Sequence, residues 1–162
     1  MIQRIQSVYL ALSAILSTVS LFATIGKYVS GGSVVASFTN FSFDADQKLF
    51  EGMESTGPWS LGAILIIVAL LNLTTIFLFN HRMHQLRLTI FTTILLVGYV
   101  AMYAFFTWVY LEKLKEAAPN ANISFQLCAM AIFSVICVIL NCMAIHGIRK
   151  DERLIRSLDH IR

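Results

Sequence analysis

The sequence predicts an all-α membrane protein: a four-transmembrane-helix bundle with a small β-containing extracytoplasmic cap and a C-terminal amphipathic cytoplasmic helix. Three observations carry that prediction. Four apolar runs, at 5–25, 59–80, 86–110 and 127–147, hold no charged side chain apart from Arg87 at the edge of the third. As helices they would each reach roughly 30–37 Å, enough to cross a bilayer core of about 30 Å. Only 13% of the 162 residues are charged and 57% are hydrophobic, whereas ordinary soluble domains carry about 25% charged residues. Finally, the basic residues are unevenly spread, as the orientation rule for membrane spans requires.

With both termini inside, Arg4, Arg82, Arg87, Arg149, Lys150, Arg153, Arg156 and Arg162 are cytoplasmic, and only Lys27, Lys48, Lys113 and Lys115 lie outside. Lys and Arg near span ends set orientation, so N-in/C-in is expected. Tyr28, Trp59, Trp108 and Tyr110 fall at the outer ends of spans, where amphipathic rings prefer the headgroup level. The net charge of +3 is thereby a topology signal, and no nucleic-acid partner is expected. The runs leave no room for a separate soluble domain, so 1–162 is read as one four-span membrane domain.

The first run follows Arg4 as a signal peptide would, but it is longer than an ordinary h-region and closes on no small-x-small site. It is expected to stay as an uncleaved span, and no lipidation motif appears. Within it Ser13 and Ser17 have the spacing that lets helix backbones approach closely, and packing inside the same bundle is the expected use.

Residues 26–58 form the long outer loop. Ser30-Gly31-Gly32-Ser33 signals a turn, and 34–43 alternates at period two, with Val35, Ser37, Thr39, Phe41 and Phe43 on one face. A hairpin starting near Lys27 is expected, then a loop or short helix over 44–54 that ends at Gly57-Pro58. The turn over 80–87 is short, so the second and third helices are antiparallel neighbours. In the second outer loop, 111–126, the third helix runs on through Glu112 and Glu116 until Ala117-Ala118-Pro119-Asn120 breaks it. Residues 123–126 are then extended and could join the first loop's sheet. In the tail, 148–162, Leu154, Ile155, Leu158 and Ile161 share a helical face suited to docking on lipid or on a protein.

Chemistry is sparse. Ser13, Asn72, Thr92, Thr93 and Asn141 all lie about 9–12 Å from the cytoplasmic end, one polar layer through four helices. Amides in hydrocarbon must be bonded, so Asn72 and Asn141 should face inward. Interhelical hydrogen bonding at about 0.6–2 kcal/mol per contact is the plainer use of such a layer. A relay or small-molecule site is the sharper one, but it lacks the ionisable residues such pathways use. His81, His84, Cys142 and His146 sit at the cytoplasmic rim with helical spacings that could aim two ligand pairs at one zinc. Rim histidines more often meet headgroups or water, so neither a metal nor another cofactor is expected. Cys128, Cys137 and Cys142 all lie in the fourth run and outside the outer loops, which excludes a disulfide framework. Asp44, Asp46, Glu51 and Glu54 lack the central Gly of a calcium loop. Asn40-Phe41-Ser42 and Asn122-Ile123-Ser124 are formal glycosylation sequons. No nucleophile–base, phosphate-loop or zinc-protease motif occurs, so no catalytic residue is assigned.

The start, Met1-Ile2-Gln3-Arg4-Ile5-Gln6, resembles that of a bacterial family of four-span membrane proteins, domain-of-unknown-function family 4293. Ile148-Arg149-Lys150-Asp151-Glu152, Ile155-Arg156-Ser157-Leu158-Asp159 and Ile161-Arg162 resemble its closing segment, with His160 where Arg is expected. The resemblance implies a bacterial inner-membrane setting and carries no activity or site residue across. The loop layout is also similar to the claudin-type arrangement, without that group's W-GLW-C-C signature. The expected function is a non-enzymatic interaction or assembly subunit of a membrane complex, in contact with the bilayer and docking a membrane-protein partner through loop 26–58 or the tail. A small transporter or intramembrane enzyme using the layer around Asn72 and Asn141 is the alternative.

Overall fold

The computed structural model describes residues 2–46, 57–78, 82–119 and 121–159, with side chains at 5–46, 57–78, 83–119, 121–129 and 131–150. The elements run α1 (Ile2–Phe22), β1 (Thr24–Ser30), β2 (Ser33–Thr39), β3 (Phe43–Ala45), α2 (Trp59–Phe77), α3 (Arg82–Ala117), β4 (Ile123–Leu127) and α4 (Ala129–Asp159). All four helices are long and apolar enough to cross a membrane. Helix α1 packs against α2 and α4, and α3 packs against the same two, closing a four-membered ring. Many large apolar side chains point away from this ring, as they would where the solvent is lipid.

Two apolar runs are shorter as helices than their hydropathy implies. Ile25 and Leu127, expected at span ends, belong to β1 and β4 instead. The reason is local pairing: Gly26 lies opposite Leu127, and the Cys128 N–H donates to the Ile25 carbonyl at 3.3 Å. Sheet bonding therefore takes over the backbone before the apolar run ends. At the other ends α3 continues through the charged turn to Ala117, and α4 continues without a break to Asp159. The tail is thus an extension of the fourth helix; Leu154, Ile155 and Leu158 lie on it, and Ile161 lies outside the described residues.

The sheet is antiparallel, in the order β3-β2-β1-β4. Gly31 and Gly32 connect β1 to β2 with φ of 58° and 85°, left-handed values that glycine adopts without a Cβ clash and that match hairpin twist. The period-two expectation holds, but the face is corrected. The buried row is Ala36, Phe38 and Asn40, joined by Val35, while Phe41 is exposed. Strand β2 stops at Thr39, where Thr39 and Ser42 bond each other reciprocally: the Thr39 N–H donates to the Ser42 carbonyl, and the Ser42 N–H to Thr39 Oγ1, both at 2.9 Å. That turn resets the phase, and Phe43 enters the core from β3.

The interfacial aromatic belt is also corrected in part. Trp59 and Trp108 are exposed, as expected of belt residues, but Tyr28 is fully buried and Tyr110 stacks on Phe43 at 4.2 Å between centroids. Tyr28 is core of the cap, and the partly buried Tyr110 packs against that core.

Gly57 lies against the same turn, and a Cβ there would overlap the Ser42 backbone. Gly57→Ala should therefore cost about 1–2 kcal/mol of stability, since backbone cannot step aside as a side chain can. Gly62→Ala meets only the half-exposed Phe41 ring and should cost less. Thermal melts of the two variants in one detergent check the order.

Candidate functional site

Asn40 is the residue on which the cap and the bundle converge. It is 0% exposed. Its Nδ2 donates to the Ser20 carbonyl near the end of α1 at 2.7 Å, adding to the longer bond that this oxygen receives from the Ala23 N–H at 3.3 Å. Its Oδ1 accepts from the Tyr99 hydroxyl of α3 at 2.8 Å. Its own carbonyl accepts the Gly62 N–H, one of the open donors in the first turn of α2, at 3.2 Å. One asparagine thus closes the C-terminus of one helix, the N-terminus of another and a buried hydroxyl on a third. Burial on this scale also takes the Asn40 sequon out of reach of glycosylation.

Around this knot α3 offers a ladder of rings. Tyr103 donates to the Ile25 carbonyl at 3.1 Å, and the Tyr28 hydroxyl donates to the Thr107 carbonyl at 3.0 Å. Phe38 stacks on Tyr103 and tilts against Tyr110, while Tyr28 packs against Phe43 and Phe125. Sequence reasoning missed this site. Its signal is Tyr99, Tyr103, Phe106 and Tyr110 at helical spacing: phenols this deep in an apolar helix need acceptors, and those had to come from the loop.

Burial, followed by the neighbouring Tyr103 and Tyr110, raises the Tyr28 phenol well above its ordinary value of 10.0. A raised folded-state value means that the protonated phenol stabilises the cap below pH 10, and that this contribution is lost as pH rises toward the raised value. Tyr28→Phe should cost about 1 kcal/mol at neutral pH, from the lost Thr107 bond, and should flatten the alkaline loss. Stability measured from pH 8 to 12 for both proteins checks this.

In the half of the bundle away from the cap the expected polar layer is dissected as follows. Ser13, Asn72, Thr92 and Asn141 are each 0% exposed, and Thr93 is partly buried. Asn72 Nδ2 donates to Ser13 Oγ at 3.0 Å, across α2 and α1. Ser17 donates to the Ser13 carbonyl at 2.7 Å, and the Cys137 thiol of α4 lies 3.6 Å from that same oxygen. Ser13 and Ser17 thus face their own bundle. Thr92 and Thr93 turn back on their own helix, bonding the Leu88 and Thr89 carbonyls at 2.8 Å. The layer extends further than the sequence reading placed it: Gln6, Thr75, Gln85 and Thr89 are buried too. Asn72 Oδ1 and both amide atoms of Asn141 have no hydrogen-bond partner among the described residues.

Two lateral grooves flank the ring. One, of about 240 Å³, lies between α3 and α4 under the cap, beside Tyr99, Tyr103 and Ser134. The other, of about 540 Å³, lies between α1 and α4, with Tyr9, Cys142 and His146 as its polar members. Neither reaches Asn72 or Asn141. Among the described residues no three His, Cys, Asp or Glu side chains are grouped to hold a metal. His84, Cys142 and His146 are therefore not assembled into the zinc arrangement, and His81 lies outside the described residues.

No curated protein matches the chain. A family profile does, over residues 2–161, nearly the whole length. The chain belongs to the family described as Domain of unknown function (DUF4293), in agreement with the resemblance at its two ends.

Proposed function

We propose that the protein is a non-enzymatic interaction or assembly subunit of a membrane complex, set N-in/C-in in a bacterial inner membrane with its sheet outside. The observation that carries this reading is how the cap is held. Its buried polar groups bond to helix ends and to α3, so the sheet is a fixed extension of the bundle. On that fixed cap Val34 of β2 and, in the turn after it, Phe41 stand partly exposed, available to a partner. The continuous α4 supports a second docking element, because it carries Leu154, Ile155 and Leu158 beyond the apolar span as one helix. The eight-to-four basic asymmetry supports the orientation.

Purification of the native protein under mild detergent tests the function: stable partners are expected, lost on Val34→Asp/Phe41→Asp or on Leu154→Ser/Ile155→Ser/Leu158→Ser. A lone monomer with ligand-dependent turnover would overturn it. Accessibility of Ser33→Cys and Ser157→Cys to an impermeant reagent tests orientation; labelling of the latter from outside would reverse it. The second reading, a transporter or intramembrane enzyme, draws on one observation, the three unbonded amide atoms of Asn72 and Asn141.

A further inference from the structure

The groove between α1 and α4 faces away from the ring. Ile5 and Tyr9 form one wall, and Ile139, Cys142, Met143 and His146 form the other. Most of its surface is apolar, and Ile5, Ile139 and Met143 are about half exposed. The α4 wall runs from Val138 to Gly147, about 14 Å of helix. At its floor the helices meet closely, since a Cβ on Gly147 would come within 3.0 Å of the Gln6 side chain. The cleft is therefore long, narrow, greasy and open to the side.

What lies just past its end is charged. Arg149 and Lys150 are exposed and follow Gly147 directly on the same helix. At about 100° per residue the groove-lining positions form one stripe of α4, and the stripe continues through Arg149 and Lys150. An apolar cleft thus leads directly into two exposed cations. We propose that this groove holds an acyl chain of an anionic phospholipid, with its phosphate on Arg149 and Lys150 beside His146. The inference rests on the membrane placement proposed above.

The same two cations argue against a second copy of the chain as occupant. A two-fold dimer across this groove would bring equivalent surfaces together, setting Arg149 and Lys150 against their own copies. An anionic headgroup removes that repulsion, and basic side chains at a membrane surface favour such lipids. A neutral lipid would fill the cleft but leave the cations without a counter-charge.

The test uses the full chain in mild detergent. Native mass spectrometry and melting temperature are followed on adding phosphatidylglycerol or phosphatidylcholine with identical chains. Preferential retention of phosphatidylglycerol and a higher melting temperature are expected. Arg149→Gln/Lys150→Gln should cut the preference about thirtyfold with an unchanged melt in the absence of lipid. Cys142→Trp, which fills the cleft, should weaken retention of both lipids; Ile139→Trp serves if the first variant fails to fold. Soluble glycerol phosphate at millimolar concentration should not compete, because it lacks the chain. Equal retention of the two lipids, an undiminished preference in the double variant, competition by glycerol phosphate, or a Cys142-crosslinked dimer that excludes lipid would each overturn the proposal. Flotation with phosphatidylcholine vesicles keeps the two failures apart: a wild-type protein that does not float fails the membrane reading, whereas one that floats without lipid preference fails only this inference.

Discussion

Asn40→Ala should lower stability by about 2–4 kcal/mol and uncouple the cap from the bundle. The magnitude follows from what the substitution leaves behind. The Ser20 carbonyl loses a 2.7 Å bond and the Tyr99 hydroxyl loses its 2.8 Å acceptor, both in a site closed to water. The Tyr99 hydroxyl left without its acceptor costs about 1–3 kcal/mol, and the lost bond to the Ser20 carbonyl, which keeps the Ala23 N–H at 3.3 Å, adds about 1 kcal/mol. Because the Asn40 carbonyl still receives the Gly62 N–H, α2 should keep its start while the sheet loosens from α1 and α3. Limited proteolysis in the cap together with thermal melts checks the split: faster cleavage between Thr24 and Ala45 with an intact bundle is expected. Tyr99→Phe removes only one of the two bonds and should lose less than half as much. A silent Asn40→Ala would mean that the sheet is held by ring packing alone.

Asn141→Leu should have the opposite sign and raise stability by about 1–3 kcal/mol. Its amide is fully enclosed with neither polar atom bonded among the described residues, and removing an unpaired buried polar group returns its desolvation cost. Leucine is close in size and fills the same space. Asn72→Leu is the internal contrast: Asn72 Nδ2 does bond Ser13 Oγ, so its loss should cost up to about 1 kcal/mol. Guided unfolding in mixed detergent micelles measures both. A stabilised Asn141→Leu that still copurifies with its partners supports the subunit reading. A stabilised variant that loses an activity would mark Asn141 as kept for chemistry, the behaviour expected of a transporter or enzyme.

The polar layer shows how far spacing alone can reach. Depth along a helix is linear in residue number, so Ser13, Asn72 and Asn141 could be set at one level from the sequence. Azimuth between helices is not linear in anything local. Only packing decided that Asn72 meets Ser13, that Thr92 and Thr93 turn back on their own carbonyls, and that Asn141 meets neither. Helical spacing likewise paired Cys142 with His146, but nothing in the spacing brings His84 of α3 to them, and the three are not grouped among the described residues.

The sequence by itself determined the four helices and the first hairpin, because their causes are local; β3 was not legible in it. Uncharged apolar runs require helices that satisfy their own backbone bonds in lipid. Two consecutive glycines between alternating segments require a tight hairpin. Family membership also showed in the residues of the two ends. Only the tertiary structure decided which side of β2 is buried, where the first and last apolar runs yield to the sheet, and that Asn40 rather than any membrane-depth residue joins the parts. The Asn40 bonds reach partners 20 and 59 residues away, and the pairing of Gly26 with Leu127 spans about 100. Contacts over such separations are set by how whole elements pack, and no single segment encodes them.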